Sequence, residues 1–357
     1  MDAPRSLVKS DGHISVARVT SAWYVVCQSK ELKRNKPLGR KLMGIPLVLF
    51  RGDEGKPGVL LDRCAHRNVP LSLGQMVDCR LECAYHGWQY DRGGACVKVP
   101  SLMTAPTWKK ALVPSFPVRE QDGYIWVYAA PGDDPDSEPY KLPAIDDKGY
   151  TTVQRTVQVE GTLHATIENA LDVPHTSFLH KGLFRGTGTR NEITAVLTRT
   201  HDRVETEYIG EPRPEGIVGR FLSPSGGLVT HYDRFIMPSI AQVEYSIGSE
   251  NHILVTSVCT PVDDFITRMY ATITFRMRLP GWLVKLILNP LAMRIFRQDA
   301  AMLKIQTDAI QHFGGEHYVS TEIDLMGPQV WRLLRRAELG KVDEDEDEWR
   351  REVQLEV

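Results

Sequence analysis

Two regions of the chain differ in how hydrophobic and polar positions follow one another. In residues 45–128, short apolar runs such as 46–50 and 124–128 are separated by turn residues, which predicts a domain of short strands. In residues 151–279, longer runs of alternating character predict an antiparallel sheet. Residues 130–148 between them are rich in Pro and Asp and show no periodicity, so we place a domain boundary there.

Two helical patterns accompany the predicted sheet. One covers residues 163–179, and a longer one covers residues 291–313. An antiparallel sheet with a long helix added late is typical of an α+β domain. We therefore predict domains over residues 1–143 and 144–340, and an acidic, solvated tail over residues 341–357.

Composition excludes several classes of protein. The chain has 43 Lys and Arg against 45 Asp and Glu, a net charge of −2 that gives no support to nucleic-acid binding. With 42% hydrophobic residues, it is not a disordered chain. The longest apolar stretch, residues 282–293, is too short to span a bilayer. An internal element is the favoured interpretation of that stretch, with peripheral membrane contact as the alternative.

The expected compartment follows from the cysteines and from the first residues. Six cysteines in 357 residues are too few and too scattered for a disulfide framework. The first twenty residues carry charges where a secretory signal needs an apolar core. Both observations predict a cytoplasmic protein.

The first candidate site combines two cysteines and two histidines. Cys64 and His66 form one Cys-x-His pair, and Cys83 and His86 form a Cys-x-x-His pair. Two such loops facing each other present the two thiolates and two imidazoles that a Rieske-type [2Fe–2S] cluster needs. Zinc also accepts this ligand set, although zinc fingers usually keep the cysteines together. A zinc-stapled binding module therefore remains an alternative.

The residues around these pairs match a known family. The segments CAHR from Cys64, LSLG from Leu71 and CAYHGW from Cys83 together resemble the Rieske motif of the ring-hydroxylating oxygenases. The additional cysteines of respiratory Rieske proteins are absent. The resemblance implies an N-terminal all-β Rieske domain and a C-terminal START-like helix-grip sheet whose long helices hold a mononuclear iron.

A second candidate site follows in the predicted catalytic domain. His175 and His180 are five residues apart, so on a regular helix they would lie about 140° apart. Both can reach one metal only if the helix breaks, and Pro174 offers the place. Two histidines and a carboxylate form the usual non-haem Fe(II) site with open positions for O₂ and substrate.

The resemblance assigns further roles around these histidines. It implies that His175 and His180 are iron ligands and that Asp172 is the acid that bridges the two redox centres. Asn169 matches an iron-proximal polar residue of some family members. Glu168 occupies the position that other members use, so both residues stay open.

The third iron ligand should be a carboxylate later in the chain. Asp299, Asp308 and Glu316 are the candidates. Asp299 shares a helix face with apolar residues such as Phe296 and Leu303, and a charge on a buried face needs a partner such as a metal. Asp299 also stands where the family places its last ligand, so we choose it.

The two sites together predict a terminal oxygenase component. The resemblance implies electrons from a separate reductase or ferredoxin, since the chain has no flavin or nicotinamide motif, and it implies a homotrimer. Apolar strand residues such as Val243, Ile253 and Val255 favour a hydrophobic small-molecule substrate, with a sterol or steroid as first choice. The alternatives are an aromatic or tetrapyrrole substrate, and a Rieske electron-transfer protein without oxygenase activity.

Overall fold

The computed structural model describes residues 13–103, 112–132, 134–135, 137–180, 192–211, 229–247, 251–277, 280–341 and 348–356. They form two compact units that divide between Leu142 and Pro143, inside the Pro- and Asp-rich stretch. The first unit is Val19–Leu142. The second unit contains the chain from Pro143 onward, together with the described residues before Val19.

The described residues 13–18 differ from the prediction that residues 1–143 form one domain, because specific contacts hold them to the second unit. The Ser15 backbone N–H and hydroxyl donate to the Glu316 carboxylate at 2.9 and 2.5 Å. Arg18 pairs with Asp264 at 2.5 Å. Polar contacts of this kind between distant residues leave no periodic signal in the sequence.

The first unit consists of short antiparallel strands in small sheets. Their orders are β1-β10-β9, β2-β3-β4 and β5-β6-β7-β8. The strands are β1 Trp23–Gln28, β2 Leu38–Leu42, β3 Ile45–Arg51, β4 Pro57–Leu61, β5 Gln75–Val77, β6 Arg80–Glu82, β7 Gln89–Tyr90, β8 Cys96–Lys98, β9 Val118–Gln121 and β10 Tyr124–Tyr128.

The predicted strand pair around residues 52–55 shows why the apolar runs of this unit form strands. β3 is the middle strand of its sheet, and its residues 47–50 are all buried because both faces of the strand are covered. Gly55 has a φ of 72° in the turn that leads to β4, a conformation that glycine adopts without strain. The turn thus sets the register in which Leu47 lies opposite Leu61.

The second unit is built on one antiparallel sheet. Its order is β11-β17-β16-β15-β14-β13-β12-β18. The strands are β11 Thr151–Val159, β12 Glu192–Arg199, β13 Arg203–Ile209, β14 Val229–Ile236, β15 Ile240–Ile247, β16 Asn251–Asp263, β17 Ile266–Arg276 and β18 Trp349–Glu356. With the helices described next, this architecture confirms the predicted α+β class.

The helices of the second unit pack on this sheet. They are α1 Leu163–Ala170, α2 Thr176–Leu179, α3 Gly281–Phe313 and α4 Gly327–Glu338. α3 packs on β11, and α1 packs on β16 and on α4. No helix among the described ranges is long and apolar enough to cross a bilayer.

Helix α3 begins ten residues earlier than predicted. The prediction placed its start at about Leu291, directly after Pro290. In the structure Pro290 lies inside the helix on its exposed side. The apolar stretch 282–293 is therefore the first part of α3, where Val284 is fully buried but Trp282 and Leu286 are exposed.

The predicted tail is wrong for residues 349–356. They form β18, which pairs with β12 so that Arg199 lies opposite Trp349 and Ala195 opposite Val353. Val353 and Leu355 are buried, because alternate residues of β18 face the interior. Most of the acidic run before this strand, residues 343–347, lies outside the described residues.

Candidate metal centres

Two loops of the first unit share one backbone geometry. In each loop the cysteine N–H, of Cys64 or of Cys83, donates to the carbonyl five residues later at 2.9 Å. Each cysteine carbonyl accepts from the N–H four residues later at 3.0 Å. The donors of that second bond, Asn68 and Gly87, have φ values of 61° and 68°. Asn and Gly tolerate this left-handed conformation, so the sequence can close both loops alike.

The cysteine and histidine side chains of the two loops differ in burial. Cys64 and Cys83 are 1% and 3% exposed, and both belong to one buried apolar cluster. His66 is half-buried, His86 is exposed, and their ring centres lie 4.5 Å apart. The loops therefore place two sulfurs inside and two imidazoles at the surface.

These four residues fit a [2Fe–2S] cluster. Nδ1 of His66 is buried and has no hydrogen-bond partner among the described residues, the state of a nitrogen that is free to bind a metal. The Trp88 ring stacks on His66 at 4.6 Å and 2°, which fixes the imidazole plane. The Tyr90 hydroxyl lies 3.2 Å from Sγ of Cys64, where it can donate to a metal-bound thiolate.

The second site lies where the chain leaves α1. α1 ends at Ala170 and α2 begins at Thr176, so the predicted helix break near Pro174 is present. Pro174 lacks the N–H that would continue the helix. The break brings His175 and His180, which flank α2, to a ring separation of 5.2 Å.

Helix α3 brings Asp299 to the two histidines. Oδ1 of Asp299 lies 3.0 Å from Nε2 of His180 and 3.7 Å from Nε2 of His175. Ligand atoms of the three residues all lie within 4.8 Å of one another. This is the single group of its kind that the described part of the chain contains.

The three side chains fit a bound metal ion. Oδ1 of Asp299 is buried yet accepts no hydrogen bond of normal geometry from the described residues, so its lone pairs are unused. The other ring nitrogen of each histidine is engaged: Nδ1 of His175 lies 3.1 Å from Asp172, and Nδ1 of His180 lies 3.1 Å from Gln298. Bonds of this kind fix a histidine so that its second nitrogen faces a metal.

The other two carboxylates considered for the third ligand have different partners. Asp308 is exposed and pairs with Lys304 at 3.1 Å, one helical turn away. Glu316 accepts from Ser15, as described above. Neither belongs to the group of His175, His180 and Asp299.

Glu168, Asn169 and Asp172, the polar residues before the histidines, have different surroundings. The Asp172 carboxylate accepts a hydrogen bond from the backbone N–H of His175 at 3.0 Å, and it also contacts the His175 ring. Asn169 is half-buried near the end of α1. Glu168 packs closely against Gly327: a Cβ atom added at position 327 would lie 1.8 Å from Oε1 of Glu168. Burial, more than nearby charges such as Asp172, raises the pKa of Glu168.

Sequence reasoning missed the partners that orient these side chains. Neither Gln298 nor Tyr90 belongs to a motif that the sequence analysis singled out. Their residue types are common, and only the fold shows that they contact His180 and Cys64.

Comparison with known protein families covers both units. The profile of the Rieske [2Fe-2S] domain matches residues 22–117, and that of the vanillate O-demethylase oxygenase C-terminal domain matches residues 159–339. The chain belongs to the Rieske non-haem iron oxygenase family. The predicted cofactors, a [2Fe–2S] cluster and a mononuclear iron, are confirmed as those of the family.

Individual relatives are moderately similar. The chain is 38% identical over 194 residues to the oxygenase component of dicamba O-demethylase from Stenotrophomonas maltophilia, covering 54% of this chain and 52% of that protein. It is 31% identical to methylxanthine N1-demethylase NdmA from Pseudomonas putida, covering 70% of each. It is 28% identical to the chloroplastic protein TIC 55 of Arabidopsis thaliana, covering 82% of this chain and 54% of that protein. The matched part thus spans about half the length of several of these relatives.

Solved structures agree with the fold. The structure of dicamba monooxygenase bound to dicamba superposes with a TM-score of 0.77, covering 91% of this chain and 99% of that one. The sequence identity in that comparison is 24%, so it bears on the fold alone.

Proposed function

We propose that the chain is a terminal oxygenase component that oxidises a hydrophobic small molecule with dioxygen. The observation that carries this proposal is the convergence of His175, His180 and Asp299 on one point, with the outer nitrogen of each imidazole already held. Two histidines and one carboxylate leave coordination positions open for O₂ and substrate.

Cys64, His66, Cys83 and His86 are the proposed ligands of the [2Fe–2S] cluster. The matched backbone loops and the unpartnered Nδ1 of His66 support this assignment. When bound, the cluster supplies electrons one at a time and the mononuclear iron supplies dioxygen activation. The protein residues hold these groups, exclude water and orient the substrate.

Asp172 and Asn169 have proposed roles beside the iron ligands. Asp172 contacts His175 through both its ring and its backbone, so it can hold that ligand and couple it to a second redox centre. Asn169 is half-buried near the end of α1, three residues before Asp172, and its amide is the proposed polar group near the iron.

The electron donor and the assembly are proposed from the family resemblance. A separate reductase or ferredoxin supplies the electrons, and a homotrimer brings the cluster of one subunit to the iron of the next. The exposed Trp282 and Leu286 beside Lys285 support peripheral membrane contact as a further proposal. Analytical ultracentrifugation and vesicle sedimentation test these two points.

The substrate proposed first is an aromatic or tetrapyrrole compound. The names of relatives include a dicamba demethylase, a methylxanthine demethylase and a chlorophyllide a oxygenase. Half-buried apolar side chains on β15 and β16, such as Val243, Ile253 and Val255, suit a hydrophobic ring. The same side chains suit the sterol or steroid that the sequence favoured, so that class stays as the second candidate.

Product analysis with purified protein tests the proposal. The cluster-loaded, iron-loaded protein is incubated with a surrogate reductase, isotopically labelled dioxygen and a panel of methoxy- and methyl-substituted aromatics, porphyrins and sterols. Product that contains labelled oxygen is expected from one of these substrate classes. A cluster without additional iron, and no product from any class, would instead favour the electron-transfer protein, and a colourless protein with zinc would favour the binding module.

A further inference from the structure

The His180 ring is held between two consecutive residues of helix α3. Its Nδ1 lies 3.1 Å from Oε1 of Gln298, and its Nε2 lies 3.0 Å from Oδ1 of Asp299. The His180 side chain is 2% exposed, so both contacts are made in the interior of the second unit. Each ring nitrogen of His180 therefore faces an oxygen that α3 supplies.

These two oxygens compete for the proton of a neutral His180. A neutral imidazole has a proton on one nitrogen and a lone pair on the other, and both oxygens can only accept. When Nδ1 donates to Gln298, the lone pair of Nε2 and the carboxylate of Asp299 are left to bind a cation together. When Nε2 donates to Asp299 instead, the two metal-binding atoms are joined to each other. The second tautomer therefore closes the site.

The hydrogen bonds of the structure correspond to the first tautomer. The contact between Nδ1 of His180 and Gln298 has hydrogen-bond geometry. Oδ1 of Asp299 is buried but accepts no hydrogen bond from the described residues, although Nε2 of His180 is near. The proton of the neutral ring is therefore best placed on Nδ1, where the Gln298 oxygen accepts it.

Helix α3 is anchored on both sides of Gln298. Before it, Oδ1 of Asn289 accepts from Nε of Arg155 on β11 at 2.7 Å. After it, the Thr307 hydroxyl donates to the backbone carbonyl of Glu160, directly after β11, at 3.0 Å. A helix fixed at these two points holds the side chain of Gln298 in register with His180.

The other histidine of the site is held by a charged group. Nδ1 of His175 lies 3.1 Å from Oδ2 of Asp172, so a carboxylate has the place at His175 that the Gln298 amide has at His180. A carboxylate makes a metal-bound imidazole more basic, whereas a neutral amide chiefly orients it. Asp172 and Asp299 already offset the two positive charges of Fe(II). Gln298 thus orients His180 without adding negative charge to the site.

We propose that Gln298 is a positioning residue that holds His180 in the tautomer with an unprotonated Nε2 and so keeps the metal site open. Without the Gln298 oxygen, the ring proton moves to Nε2 and is donated to Asp299, which occupies two of the three metal-binding atoms. This inference rests on the proposed iron site of His175, His180 and Asp299.

Nitrogen NMR of histidine-labelled protein tests the tautomer directly. The sample is the full chain with an oxidised cluster and without mononuclear iron, at a pH above the range in which histidine titrates. The His180 signals, assigned by their loss in His180→Gln, are expected to show the proton on Nδ1 in wild type and on Nε2 in Gln298→Leu. A proton on Nε2 in wild type, or none on Nε2 in Gln298→Leu, would overturn the proposal.

Metal titration tests the consequence for binding. Co(II), which has ligand preferences close to those of Fe(II), is titrated into the same protein in competition with a chelator. Gln298→Leu should lower the Co(II) affinity by roughly 10- to 100-fold. Gln298→Asn, whose side chain is one methylene shorter, should lower it likewise. Gln298→Glu keeps an oxygen at the same position and should restore most of the lost affinity.

Two results of this titration would overturn the proposal. One is a Co(II) affinity of Gln298→Leu and Gln298→Asn equal to that of wild type. The other is a Gln298→Glu variant that binds Co(II) as weakly as Gln298→Leu, because an accepting oxygen would then not be what His180 needs.

Gln306→Leu is the matched control on the same helix. Gln306 is half-buried like Gln298, but it lies about two turns further along α3 and outside the group of metal ligands. Its substitution should leave the His180 signals and the Co(II) affinity at their wild-type values. Equal weakening in Gln306→Leu would show a general effect of removing an amide from α3 and would overturn the proposal.

Failure of this inference differs from failure of the proposed function. A wild-type protein that binds no Co(II) would contradict the iron site itself, and the oxygenase function with it. A wild-type protein that binds Co(II) tightly, with equal binding by Gln298→Leu, would contradict the role of Gln298 alone.

Discussion

Asp172 holds His175 by two contacts with one carboxylate oxygen. Oδ2 of Asp172 accepts the backbone N–H of His175 at 3.0 Å and lies 3.1 Å from Nδ1 of its ring. The backbone contact places the residue, and the ring contact leaves Nε2 directed at Asp299. A change of charge at Asp172 therefore acts on the electronic character and orientation of His175 rather than on the fold.

Asp172→Asn should separate electron transfer from metal binding. Asparagine retains an oxygen that accepts the backbone N–H, but it removes the negative charge next to the ring. We expect both metals to remain bound and the rate of cluster reoxidation in a single turnover with substrate and O₂ to fall by roughly 10- to 100-fold. Rapid-mixing absorbance spectroscopy measures this rate, and normal reoxidation would remove the bridging role of Asp172.

Asp299→Ala should remove the mononuclear iron alone. The substitution deletes the carboxylate whose Oδ1 faces both histidines, so iron content should fall by one per subunit and product should be lost, with the visible spectrum of the cluster unchanged. Asp308→Ala on the exposed side of α3 is the control, since its pair with Lys304 is solvent-exposed and contributes little to stability. Retained iron in Asp299→Ala would mean that another residue is the third ligand.

Tyr90→Phe should lower the reduction potential of the cluster. The Tyr90 hydroxyl can donate to Sγ of Cys64, and this bond stabilises the reduced, more negative cluster more than the oxidised one. Loss of about 1 kcal/mol corresponds to roughly 40 mV for one electron. Redox titration measures the shift, and Tyr85→Phe, at an exposed position, should leave the potential within error.

His231 should make the stability of the second unit depend on pH, since its two ring nitrogens lie 2.7 Å from Glu211 and 3.0 Å from Asp233. Its folded pKa of about 9 is above the unfolded value of about 6.5, so the stabilisation is complete below about pH 6.5 and is lost as the pH rises through 9. Urea unfolding of wild type and His231→Gln at several pH values measures this loss; a difference between the two that is constant with pH would contradict the ion-paired state.

The sequence indicated which side chains the fold brings together, such as His175, His180 and Asp299, better than the limits of the elements around them. Cys64, Cys83 and their histidines stand in two short motifs, so a local pattern carries the information. The predicted start of α3 at Leu291 was ten residues late, because Val284 in the first turn packs against distant strands and no local pattern shows such packing.

Long-range pairing accounts for what sequence reasoning could not supply. β18 has the alternation of a strand, but the acidic run before it suggested a solvated tail, and its partner β12 lies far away in the sequence. The pair of Glu211 and His231 likewise joins residues that are twenty positions apart. No local pattern indicates such a pairing, because it depends on sheet register alone.

The pairing of β12 with β18 sets an order of events during synthesis. About 150 residues separate the end of β12 at Arg199 from the start of β18 at Trp349. At roughly 5–20 residues per second, the ribosome needs on the order of 10–30 s to make that interval, and until then the edge of β12 has no partner. An open edge strand is a template for wrong pairing, so chaperone demand on this protein should be greatest late in translation.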